Sequence, residues 1–404
     1  MKNIKGGICA PQGFKANGIV AHIRGNKDVK DLSLIVSDVP CSAAATYTTN
    51  KVKGAPLTVT KQHLEDGQAK AIICNSGNAN TCNSNGIELA NQVCDLVADA
   101  LSIDANDVIV ASTGVIGQPM SLEPFASHMD ELVAGLNVNG SMDAELGIMT
   151  TDTKPKEFAV EFELDGKVCH LGAIAKGSGM IHPNMATMLA FVTSDVAISS
   201  AMLDEMVHEV VPDTFNMVSV DGDTSTNDML VVLANGLAGN AVITTKDDNY
   251  ALMKEALFDI CVQLSQGIAK DGEGATKLLT CHTVGASTKE IAKKVAKSVI
   301  TSSLFKAAMF GKDANWGRIL CAIGYTDAEF DINRVEVDLS SRVGKFKVCV
   351  NGMGVEFSED FALEVLTEDE ILIDVDLHSG DYEATAWGCD LTYDYVKING
   401  DYRT

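Results

Sequence analysis

Nowhere in these 404 residues do about 18 apolar residues follow one another without a break, so no membrane-spanning helix is expected. The first residues, MKNIKGGICAPQGFKANG, lack the apolar core of a secretory signal. Eleven cysteines are scattered from Cys9 to Cys389, and none falls in a C-x-x-C pair. That spacing speaks against a disulfide framework or a zinc site, and for buried free thiols in a reducing cytosol. The eight histidines show no metal-ligand spacing either, so no metal is expected. Internal repeats, low-complexity tracts and coiled-coil heptads are absent. Basic residues are scarce: 31 Lys and Arg face 55 Asp and Glu, a formal net charge of −24. A phosphate-binding face needs clustered cations, so nucleic acid and anionic membranes are not expected partners. The plain explanation of the acidity is a well-solvated surface. An anionic substrate would need a pocket that is locally positive against that background.

An apolar share of 46% and a charged share of 21% describe an ordinary globular chain. The length suits two to three domains or one large α/β unit. Residues 87–101 place Ala90, Val93, Cys94, Val97 and Leu101 on one helical face, and 249–268 do so through Leu257, Cys261, Leu264 and Ile268. Residues 70–74, 108–112, 229–233 and 371–377 read as strands. A hairpin is marked in FAVEFELDGKVCHLGAI, where Asp165-Gly166 fits a tight primed turn, and another around Asn351-Gly352. Strands come both as hairpins and in alternation with helices, so the expected fold is α/β, with mixed sheets layered against helices.

One segment stands apart: KGSGMIHPNMATML, residues 176–189. A glycine-broken loop passes through Pro183 into MATMLAFV, 185–192, which reads as a buried strand with Thr187 near its start. The plain reading of Thr187 is a β-branched strand residue whose hydroxyl bonds nearby backbone. The chemical reading is a nucleophile that becomes N-terminal. A threonine hydroxyl is weak and needs an adjacent base. Cutting the Ala186–Thr187 bond gives Thr187 an α-amine with a pKa of about 7.7–8.0, able to accept the hydroxyl proton near pH 7. The cut itself can come from attack of the same hydroxyl on the Ala186 carbonyl.

KGSGMIHPNMATML resembles the self-cleavage motif of the ornithine acetyltransferase family, the glutamate N-acetyltransferases of the cyclic arginine pathway. Further stretches match that family in order: GICAPQGFKANG, CNSGNANTC (74–82), STGVIG (112–117), IMTTDTKPK (148–156), SVDGDTSTND (219–228), AKDGEGATK (269–277), GKDANWGRI (311–319) and DLTYDYVKINGDYRT (390–404). The resemblance implies an N-terminal-nucleophile-like αββα arrangement, self-cleaved into chains 1–186 and 187–404, with a smaller C-terminal α/β part from about 280. It implies a cytoplasmic enzyme of two cleaved protomers, α2β2, that needs no cofactor. It also implies a ping-pong transfer of acetyl from N2-acetylornithine to glutamate through an ester on Thr187. Some members also take acetyl from acetyl-CoA, which is then a substrate.

The resemblance assigns Thr113 and Gly114 to the oxyanion hole, in keeping with their place at the end of VIVAS. It assigns substrate contacts to Thr153, Lys176, Thr187, Glu273, Asn399 and Thr404, with Thr150 and Thr151 close enough to stand in for Thr153. Glu273 would pair with the side-chain ammonium of ornithine. Taken singly, Lys176 and Glu273 are also readable as solvated surface charges. His182 reads as a loop residue beside the scissile bond. GSGMIH and GEGATK lack the third glycine of a dinucleotide fingerprint and the spacing of a P-loop. Two alternatives use the same pocket: a self-processed aminopeptidase or amidohydrolase, and a non-catalytic binding protein for acidic amino acids.

Overall fold

The computed structural model describes residues 1–25, 27–182 and 188–401. The larger sheet holds β1 (Lys2–Asn3), β2 (Phe14–Ile19), β3 (Leu32–Tyr47), β4 (Gln68–Asn75), β5 (Val108–Ser112), β6 (Glu157–Leu164), β7 (Lys167–Lys176) and β8 (Leu189–Ser194). β9 (Val218–Ser219) lies in the smaller sheet, and β10 (Met229–Ala234) returns to the larger one. The remaining strands are β11 (Leu278–Ala286), β12 (Glu336–Ser341), β13 (Gly344–Val350), β14 (Met353–Gly354), β15 (Glu370–Asp376) and β16 (Tyr382–Cys389). The orders are β1-β6-β7-β8-β10-β3-β4-β5, with β2 also on β3, and β14-β13-β12-β15-β11-β16-β9. Each contains both parallel and antiparallel neighbours, so both sheets are mixed.

Local chemistry accounts for the order. The β6–β7 hairpin turns on Asp165 (φ 51°) and Gly166 (φ 74°), two left-handed residues whose twist matches the flanking strands. Asn351 and Gly352 do the same between β13 and β14. β8 and β10 are buried at every residue, as parallel strands in the middle of a sheet must be. Of the strand expected over 185–192, residues 185–187 lie outside the described residues; β8 runs from Leu189, which pairs with Met229 of β10.

The helices that position the site are α1 (Ala55–His63), α2 (Gly86–Leu101), α3 (Glu123–Ala134), α4 (Ser141–Ile148), α5 (Ser200–Val210), α6 (Asp248–Lys270) and α7 (Lys289–Thr301). The Asp247 side chain caps α6 by accepting the Tyr250 N–H at 2.9 Å. The buried face of α6, with Leu257, Cys261, Leu264 and Ile268, packs on β6 and β7 on one side and on β11 and β16 on the other. The larger sheet curls around α4 and the turn Gly7–Cys9, which β2 and β7 both touch. Backbones meet there: a Cβ on Gly172 would lie 1.9 Å from the Gly7 carbonyl oxygen. One buried cluster joins Phe14, Ile72 and Ile109 to Ile174, Phe191 and Val231. Helices α1 to α3 cover the β2–β5 flank outside it, α5 packs on β3, and α6 covers β6 and β7. No helix among the described residues is long and apolar enough to cross a membrane.

Candidate functional site

β5 runs out at Ser112, and the chain turns through Thr113 and Gly114. Gly114 has φ 121°, and a Cβ there would sit 2.6 Å from the backbone of Gly77. Only glycine fits this close approach. The loop behind it is built from asparagines. Asn75 donates to Ser112 Oγ at 2.7 Å and accepts from the Gly77 and Asn78 N–H groups, and its carbonyl takes the Thr113 N–H at 2.9 Å. Asn227, buried beside it, donates to the carbonyls of Ala79 and Ser112. These bonds leave the Thr113 hydroxyl and the Gly114 N–H engaged by no other described residue.

Both face a cavity of about 420 Å³, lined also by Thr150, Thr151, Lys176, Gly179, Met180, Ser225, Thr226, Asn227, Glu273 and Asn399. Lys176 ends β7 and is buried, its Nζ 3.9 Å from Asp152 Oδ2. Asp152 also accepts from Lys156 Nζ at 2.7 Å, from the Gly177 N–H at 2.6 Å and from the Thr150 N–H at 3.0 Å. Burial works against its charge, but Lys176 and Lys156 outweigh burial and hold the carboxyl well below the usual carboxylate range. Lys156 in turn bonds Asp271 at 2.7 Å, and the two carboxylates raise its ammonium against the cost of burial. Glu273 is buried against Gly179, where a Cβ would lie 2.4 Å from its carboxylate, and it accepts from Asn399 Nδ2 at 2.7 Å. Asn399 comes from the C-terminal helix Tyr393–Asp401, which Thr392 ties to the Gly274 carbonyl.

The segment approaching the expected cut is pinned residue by residue. Asp221 accepts the Met180 and Ile181 N–H groups at 2.7 and 2.9 Å, Thr224 donates to the His182 carbonyl, and Val220 N–H to that of Ile181. On the far side the Met188 carbonyl accepts the Met229 N–H at 2.8 Å. His182 Nδ1 lies 3.0 Å from Ser219 Oγ. Burial, helped by Lys297 and opposed by Asp221, lowers its imidazole to about 4, so it is neutral at pH 7.

Of the residues expected from the sequence, Thr113, Gly114, Lys176, Glu273 and Asn399 line this one cavity. Ala186, Thr187 and Thr404 lie outside the described residues. Thr153 is not brought to this cavity: its hydroxyl and its N–H both bond Asp271, and it lines a separate cleft with Lys154 and Lys397. Of the hydroxyl-bearing residues in TTDTK, those at the cavity are Thr150 and Thr151. Asn75, Asp152, Asn227 and Asp271 carried no expectation. Only their position inside the matched stretches CNSGNANTC, IMTTDTKPK, SVDGDTSTND and AKDGEGATK marked them. Among the described residues, no cluster of three or more His, Cys, Asp or Glu could hold a metal ion.

Residues 15–404 match the model of the ArgJ family. The chain belongs to the ArgJ family. Over 406 aligned residues it is 50% identical to the arginine biosynthesis bifunctional protein ArgJ of Symbiobacterium thermophilum, covering 100% of both chains. It is 49% identical over 392 residues to ArgJ 1 of Clostridium acetobutylicum, covering 97% of this chain and 96% of that one. A crystal structure of the arginine biosynthesis bifunctional protein argJ from Bacillus halodurans matches at 44% identity and a TM-score of 0.51. It covers 54% of this chain and 100% of that chain.

Proposed function

We propose that this ArgJ-family chain cleaves itself between Ala186 and Thr187 and then transfers acetyl from N2-acetylornithine to glutamate. Thr187 attacks the acetyl carbonyl, its own α-amine takes the hydroxyl proton and passes it to the departing ornithine amine, and an acetyl ester remains. The amine of glutamate then attacks that ester and leaves as N-acetylglutamate. Each step passes through an oxyanion, for which the Thr113 hydroxyl and the Gly114 N–H are pre-aimed donors. Lys176 takes the substrate α-carboxylate, and Glu273, oriented by Asn399, takes the ammonium at the other end of ornithine.

The observation that carries this reading is the convergence on one cavity of two unengaged donors, one buried cation and one buried carboxylate. The Bacillus halodurans chain covers 54% of this one, which is also the share made up by residues 187–404. The bifunctional name borne by the relatives supports a second activity, acetyl-CoA-dependent acetylation of glutamate. The working molecule on this reading is an α2β2 assembly in the cytoplasm, without metal or cofactor.

A denaturing gel with intact masses is the test. Wild type gives fragments 1–186 and 187–404, Thr187→Ala stays whole, and labelled acetylornithine leaves its acetyl group on the 187–404 fragment. Active enzyme that keeps the Ala186–Thr187 bond defeats the reading. Acetylornithine turnover at full rate without glutamate points instead to a hydrolase.

A further inference from the structure

Acetyl transfer, on the reading above, asks one site to serve two amino acids whose side chains carry opposite charges. Ornithine ends in an ammonium, glutamate in a second carboxylate. Glu273, buried and bonded by Asn399, suits the first. The same carboxylate repels the second, and bringing like charges together out of water is costly. Lys176 already serves the α-carboxylate that both amino acids share. The acidic side chain of glutamate therefore needs a further cation near the same reacting end.

A second cavity, of about 520 Å³, meets the first along Gly114, Val115, Thr150 and Thr151, which line both. Arg24 and Lys27 also line it, and no Asp or Glu is among the described residues that do. In a chain of 55 acidic and 31 basic residues, this is the locally positive pocket that an anionic substrate requires. Arg24 is held in place. Its Nε donates to the Ser76 carbonyl at 2.8 Å, and a terminal nitrogen donates to the Ser76 hydroxyl and the Met149 carbonyl. These partners are neutral oxygens, which orient a guanidinium without cancelling its charge. They also set it behind both sides of the shared wall. Met149 precedes Thr150 and Thr151, and Ser76 precedes Gly77, on whose backbone Gly114 closes. Asp31 bonds this turn through the Ala21 and Arg24 N–H groups. Lys27 is exposed and pairs with no carboxylate among the described residues.

We infer that glutamate binds with its side-chain carboxylate in this second cavity, on Arg24 and Lys27, while its α-carboxylate stays with Lys176. Three bonds of about 1.5 Å separate its α-carbon from the side-chain carboxyl carbon, so only a cavity adjoining the reacting end is in reach. Donor and acceptor then share the oxyanion donors and the α-carboxylate cation, and diverge at their side chains toward Glu273 and toward Arg24. This assignment rests on the acetyl-transfer reading and adds to it what selects the acceptor.

The experiment measures the two half-reactions apart. Exchange of labelled ornithine into acetylornithine needs no glutamate, and transfer from acetylornithine gives the KM for glutamate. Lys27→Glu puts a carboxylate at an exposed position in place of a cation. It is expected to raise the KM for glutamate by about 10–100-fold, the worth of a charge-assisted hydrogen bond, with exchange at the wild-type rate. Arg24→Gln is expected to do the same and to narrow the preference for glutamate over glutamine as acceptor. Should Arg24→Gln fail to fold, Lys27→Glu decides alone. A KM for glutamate unchanged in Lys27→Glu overturns the inference, as do exchange and transfer that fall together in a variant melting like wild type. A raised KM for acetyl-CoA beside an unchanged one for glutamate gives the cations to that donor and overturns it too. Wild type that transfers no acetyl group would remove the acetyl-transfer reading itself. Wild-type transfer with indifferent variants removes only the role of Arg24 and Lys27.

Discussion

At the scale of single residues, the site depends on donors the fold leaves unspent. Thr113→Val removes a hydroxyl and keeps the β-branched shape. It is expected to lower kcat by about 10²–10³-fold with little change in melting temperature, because an oxyanion donor acts mainly in the transition state. Steady-state kinetics beside a thermal melt checks this. His182 gives a pH signature. Its imidazole titrates at about 4 in the fold against an ordinary 6.5. As pH falls below about 6.5 the unfolded chain binds a proton that the folded one refuses, so stability declines until about pH 4. His182→Gln should flatten that part of a melting-temperature profile, and a profile parallel to wild type would refute it. The sequence was most legible where chemistry is local. Gly114 at the end of a strand and Asp165-Gly166 in a hairpin announce themselves through backbone requirements. The place of Thr153 was not legible, because a run of hydroxyls and charges does not say which side chain is committed to Asp271, a partner more than a hundred positions away.

At the scale of elements, one chain of buried charges joins three loops. Asp152 and Asp271 share Lys156, and through them the loop after α4, the glycine loop after β7 and the loop after α6 meet at fixed distances. Lys156→Met would leave buried Asp271 without its cation and Asp152 with Lys176 alone, a loss of about 3–5 kcal/mol that a denaturant midpoint should register. Nothing in the spacing of TTDTKPK discloses this, since the partners assemble only in the fold. The C-terminal helix bears on binding and not on the oxyanion donors. Ending the chain before Tyr393 removes Asn399 from Glu273. That truncation is expected to raise KM for acetylornithine and leave self-cleavage in place, with a gel and a KM measurement separating the two. The two long amphipathic helices were plain in the periodicity.

For the whole molecule, the expected cut falls between strands that remain interleaved. β8 and β10 lie on the 187–404 side, yet β8 pairs with β7 and β10 pairs with β3, both from the 1–186 side. α6 adds its buried face to β6 and β7. The two fragments should therefore co-elute on a sizing column and part only in denaturant. Separation under native conditions would contradict this topology. The mixed sheets and helix layers could be inferred from alternating elements, whereas the curl of the larger sheet around α4 could not. It arises from close backbone contacts such as that of Gly172 with Gly7. Interleaving of this kind makes the pairing of the two polypeptides lifelong. A cell carrying two alleles would hold molecules whose halves both come from one allele, so a defect in one half cannot be rescued by a sound half made from the other.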